Sequence, residues 1–152
     1  MKKLTILFVA VLFISCTKTK EEKMQENITT EFKKDMNDPS TFEFVSMSIK
    51  KTFTVGERKK VMSEKRLKEL EAMYKDADWK GRPIDDIKIM LNQQKIEMKF
   101  LKNIDDNLEA VYYVDFVARG SNSFGAIIKN NYSATVLNDE NLTVVHLKSM
   151  NN

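Results

Sequence analysis

The last third of the chain constrains the fold most. Tyr112, Val114, Phe116 and Ala118 occupy every second position, the period of a strand with one face against a core. Gly120 to Gly125 then turn the chain, residues 125–137 read as a second strand, Asn138 to Asn141 as a tight turn and 142–148 as a third strand. Connections this short join antiparallel neighbours, so the segment is expected to form a three-stranded meander.

The preceding residues supply what covers it. From Glu22 to Asn37 the apolar positions Met24, Ile28, Phe32 and Met36 recur every fourth residue, stacking along one side of a helix, and Asn37-Asp38-Pro39-Ser40 ends it. Thr41 to Val55 is β-branched and aromatic. Val45, Met47, Ile49, Phe53 and Val55 alternate as its inner face, while Phe42 and Phe44 fall on the other parity, which calls for a bulge or for cover on both faces. Ser63 can cap a second helix to about Ala77. On its exposed side Glu64 with Lys68 and Glu71 with Lys75 form favourable i,i+4 pairs. A third helix, Pro83 to about Lys102, carries Ile84, Ile87, Leu91, Gln94, Met98 and Leu101 at three- and four-residue spacing. That spacing predicts an antiparallel helical hairpin with Gln94 the polar residue in its seam. The order α-β-α-α-β-β-β points to one α+β domain, about three helices on one face of a four-stranded antiparallel sheet, over residues 24–150.

The amino terminus carries an address. Two lysines, an apolar run from Leu4 to Ile14, Ser15 and the chain's one Cys follow in the order of a secretory signal. The run is about half the ~20 residues of a spanning helix. Phe13-Ile14-Ser15-Cys16 resembles the lipobox of bacterial lipoproteins, with Phe13 in place of the usual Leu-like residue. The resemblance implies removal of residues 1–15, a diacylglyceryl thioether on Cys16 and acylation of the freed amine; a plain signal peptide is the alternative. Several acyl chains together make a stable anchor. Residues 16–23 would then be the lipidated Cys and a mobile tether. Lys20-Glu21-Glu22 is similar to an export signal of some Bacteroidetes lipoproteins, which leaves surface and periplasmic display both open.

Cleavage also changes the charge. It removes two lysines and no acid, taking the formal net charge from +3 to +1, so no net field remains to attract nucleic acid. Lys50-Lys51 with Arg58-Lys59-Lys60 is the local exception. It reads as a solvated strand end and turn, with an anionic-surface patch as the alternative.

Catalytic constellations are hard to assemble from this chain. One His and one Cys, His146 and Cys16, cannot build a His/Cys metal site, and no Gly-rich run opens a helix to cradle a phosphate. Asp85-Asp86 suits the first turn of a helix and Asp105-Asp106 a turn. A non-enzymatic protein with no metal or cofactor is therefore expected. For recognition the candidate is Arg119-Gly120-Ser121-Asn122-Ser123-Phe124-Gly125 with Asp115. Asp115, Arg119, Ser121, Asn122 and Phe124 could hold a polar group or dock a partner, and the same residues suit a plain five-residue hairpin turn.

Taken together, the lipobox, the DPSTFEFVSM segment and the closing YYVDFVARGSNSFGAIIKNNYSATVLND resemble small Bacteroidetes lipoproteins of unassigned function. The helical hairpin and meander are similar in architecture to the small BamE-like envelope lipoproteins, although this chain adds a helix and a strand in front and lacks their Gly-rich helix start. The resemblance implies a protein on the membrane through its lipid, in the cell envelope and on the outer membrane. Its partner would be another envelope protein. A small-ligand carrier, its cavity lined by Phe42, Phe44, Trp79 and Tyr113, is the competing expectation.

Overall fold

The computed structural model describes residues 18–81, 83–122 and 124–150; the expected signal peptide and Cys16 lie outside them. Helix α1 runs Lys20–Lys33, opened by Thr19 and Glu22, each accepting from the other's backbone N–H in a capping box. It therefore starts inside the stretch expected to be a mobile tether. Met24 and Ile28 are fully buried. A 3-10 turn, Pro39–Thr41, follows.

Strand β1 (Glu43–Thr54) pairs antiparallel with β2 (Glu109–Ser121), which pairs with β3 (Ile127–Leu137), which pairs with β4 (Val144–Ser149). The architecture is thus α+β, with a four-stranded antiparallel sheet in chain order. The inner-face assignment of β1 needs correction. A bulge at Val45 sets Phe44 opposite Ala118 and Met47 opposite Phe116, so Phe42, Phe44 and Met47 all pack on one cluster with Met24, Ile28, Val114 and Phe116. Val45 and Ile49 are exposed instead.

Between β1 and β2 lie three helices: α2 (Val55–Val61), α3 (Glu64–Trp79) and α4 (Asp85–Leu101). The first of these replaces the expected solvated turn. Thr54 and Glu57 form a second capping box, and Gly56 lies against Asp106, 3.2 Å from where a Cβ would sit, while its N–H donates to the Asp106 carbonyl. Ser63 caps α3 as expected, accepting from the Arg66 N–H. Helix α4 begins two residues after Pro83. The antiparallel hairpin is present: Gln94, buried in α4, donates to the Ser63 carbonyl at the start of α3 (3.1 Å), and Glu71 pairs across to Lys95 at 3.6 Å.

The helices do not share one face of the sheet. Alternate residues of β2 point to opposite sides. Tyr112, Val114, Phe116 and Ala118 meet α1, whereas Val111 and Tyr113 belong to a second cluster with Val55, Leu101, Ile96 and Phe100 from α2 and α4. With α1 committed to one side, the other end-face of β2 is still apolar and only the later helices can cover it.

The hairpin is fastened to the sheet by a buried ion pair. Arg58, 3% exposed, and Glu97, 0% exposed, are joined through Nε (2.9 Å) and Nη2 (2.6 Å) to a single carboxylate oxygen. Gln93 donates to the other oxygen at 2.8 Å, and Arg58 Nη1 donates to the Tyr113 hydroxyl at 2.9 Å. The guanidinium also faces the rings of Phe53 and Tyr113. Arg58 thus leaves the basic surface stretch it was assigned to, and from α2 it reaches partners in α4, β2 and β1.

Candidate functional site

Strand β2 carries the candidate recognition residues away from the core to the end of the sheet. At its last residue, Ser121, the N–H donates to Thr41 Oγ1 (3.0 Å) and the two hydroxyls are 3.0 Å apart, tying the strand to the 3-10 turn. Asn122 organises the turn. Its Oδ1 accepts from the Phe124 and Ala126 N–H groups, both at 3.0 Å, while its own N–H donates to the Ala126 carbonyl. Gly125 has φ +80°, a conformation costly for other residues, and donates to the Asn122 carbonyl. The amides and hydroxyls that could have gripped a polar ligand are largely spent on turn geometry.

What the turn displays is apolar. Phe124 is 91% exposed and Ile127 62% exposed, with Ile128 beside them. Phe124 lies on the turn itself, whereas Ile127 and Ile128 open β3 and, being consecutive, point to opposite faces of the sheet. The side chains of Arg119 and Asp115 lie on the sheet face opposite Tyr112 and Phe116, in exposed ion pairs with Glu43 (3.4 Å) and Lys50 (3.7 Å), contacts of small energetic value.

A groove of about 390 Å³ adjoins the hairpin, between the end of α1 and strands β2 to β4. Phe32, Met36, Tyr132, Leu147 and Ile128 contribute apolar surface, Asn37 and Asn130 amides. It exists because α1 ends at Lys33, short of the end of the sheet. Met36 lies over Gly120, where a Cβ would come within 2.7 Å of its methyl group. The four-residue period that continues through Met36 was the sequence signal for this wall; Tyr132 and Leu147 had none beyond strand alternation.

The cavity expected of a carrier is not formed by its expected lining. Phe42 and Phe44 stack into the α1 cluster, with Phe32 and Phe116 at 5.2 and 5.6 Å. Tyr113 packs on Phe53 across the sheet (4.6 Å), and Trp79, 89% exposed, stands at the far end of α3.

Elsewhere the titratable groups do structural work. Asp105 accepts from the Asn107 N–H and Asp106 pairs with Lys59 at 2.7 Å. Tyr112 receives a hydrogen bond from Lys20 and donates to Glu109 (2.9 Å); burial, then Glu109, push its hydroxyl well above the ordinary range. Among the described residues no three His, Cys, Asp or Glu side chains group as metal ligands, and no helix is long and apolar enough to cross a membrane.

His146 sits in β4 opposite Thr135. Burial, then the Lys148 charge, hold its imidazole below the ordinary 6.5. The folded state therefore favours the neutral ring, and its contribution is complete above 6.5. As pH falls below that value the unfolded chain binds a proton first, and stability is lost until the folded-state value is passed. Denaturant unfolding between neutral pH and about pH 5 should show a downward slope that is reduced in His146→Gln; an unchanged slope would show that His146 is not a source.

No protein-family model, curated protein or solved structure matches the chain.

Proposed function

We propose that this chain is a lipid-anchored cell-envelope lipoprotein and serves as a non-enzymatic interaction or assembly module. Its partner, another envelope protein, would dock on the β2–β3 hairpin end. The observation that carries the docking site is the exposure of Phe124 on the turn and of Ile127 and Ile128 at the start of β3, next to Asn122, whose Oδ1 accepts from the Phe124 and Ala126 N–H groups. A rigid turn loses little conformational freedom on binding, and aromatic anchors dominate binding energy. Pull-down from intact, crosslinked envelopes tests this. One stoichiometric protein partner, lost in a Phe124→Ser/Ile127→Ser variant that remains folded, is the expected result. Equal recovery with the variant removes the hairpin as the docking site.

The anchor rests on the sequence Phe13-Ile14-Ser15-Cys16 following a signal-like segment. Cys16→Ser should move the protein out of the membrane fraction and abolish the mass of the lipid adduct; unchanged fractionation and mass refute the anchor. A carrier of small ligands is the second reading, favoured by the groove beneath α1's end. A small molecule that co-purifies, with no protein partner, would select it.

A further inference from the structure

We infer that the anchor holds the domain by a short leash, with the sheet end that carries the α1 amino terminus toward the bilayer and the β2–β3 hairpin on the far side. The inference rests on the lipid-anchor reading and adds to it a direction.

The capping box at Thr19 starts α1 at Lys20, four residues after Cys16. Four peptide steps reach no more than roughly 14 Å. The helix cannot swing on its own, because Met24 and Ile28 are fully buried beneath it and Lys20 bonds the hydroxyl of Tyr112, near the start of β2. Glu109 and the Leu108 turn lie at this same end, Glu109 accepting from Tyr112 and the Leu108 carbonyl from the Val55 N–H. At the other end of α1, Met36 meets Gly120, near the end of β2. Helix and strand thus run the same way from the anchor. Twelve steps of strand from Glu109 to Ser121 place the hairpin roughly 35–40 Å further out.

Nothing on α1 would lay the domain flat. The exposed side chains of its outer surface include Glu21, Glu22, Lys23, Gln25, Glu26 and Thr30, with neither the apolar wedge nor the cationic excess that draws a helix onto a bilayer. Phe124 and the groove would therefore face the aqueous phase, available to a partner and not to the protein's own membrane.

The test uses lipidated protein in vesicles that carry a headgroup-attached fluorescence acceptor. Cys16 is consumed by its lipid, so Leu108→Cys and Phe124→Cys each offer one thiol for a donor dye, and both positions are exposed. Energy transfer should be several-fold stronger from position 108 than from 124. A long Gly/Ser insertion between Thr17 and Lys18 should bring the two closer together. Flotation with equal transfer from both positions, or with stronger transfer from 124, overturns the orientation alone. Failure to float with the vesicles overturns the anchor, and the orientation with it.

Discussion

Glu97→Ala is expected to lower the unfolding free energy by about 3–5 kcal/mol, because it strands the Arg58 guanidinium in an interior with no counter-charge. Both groups are almost wholly buried, and their hydrogen-bonding positions are filled by each other, Gln93 and Tyr113. The ion pair itself is a different matter. Bringing two charges out of water costs as much as their attraction returns in many proteins, so the double replacement Arg58→Met/Glu97→Leu should recover most of the loss. Denaturant unfolding of the single and double variants decides this. A Glu97→Ala cost below about 1 kcal/mol would fit an exposed pair instead.

Phe116→Ala should cost about 3–5 kcal/mol, the range for removing a buried aromatic ring. Among the described residues Phe116 is the largest fully buried side chain, and it lies centrally in β2. Its ring stacks on Phe44 (5.6 Å) and Tyr132 (5.3 Å) and meets Phe32 edge-on at 5.9 Å. Those three come from β1, β3 and α1, so one truncation loosens three elements together. Phe124→Ala, by contrast, removes an exposed ring and should change stability by no more than about 0.5 kcal/mol. The same thermal or denaturant measurement reads both; comparable losses would contradict the assignment of one ring to the core and the other to the surface.

The legibility of the fold follows from what each signal depends on. Strand alternation in 112–118 and the Ser63 cap are local, and each appears where it was read. The seam position of Gln94 follows from helical spacing, and it is buried there. Glu97, one turn along, was missed because its burial depends on Arg58, a partner 39 residues away. The Thr54-x-x-Glu57 capping box straddles the end of the run from Thr41 to Val55 that alternates like a strand, and the alternation masked it. The bulge at Val45 could be anticipated only as a conflict of parity; the pairing with β2 resolved it. The two-sided cover of the sheet depends on where helices pack, which spacing within a helix does not encode.

The candidate site was legible in part for the same reason. Gly120, Asn122 and Gly125 announce a turn; Asn122 and Gly125 make it, while Gly120 stays within β2 opposite Ile128. The groove depends on where α1 ends against the sheet. Asp115 and Arg119 shared a parity and stayed together on one face, where each is engaged in its own exposed ion pair.

The most direct measurement is site-specific photo-crosslinking in intact cells, with a photoreactive residue at position 124 and, for comparison, at the exposed Thr30 on α1. A single discrete protein adduct from position 124 and none from position 30 is the expected result. No adduct from 124, or the same adducts from both positions, would contradict a docking surface at the β2–β3 hairpin.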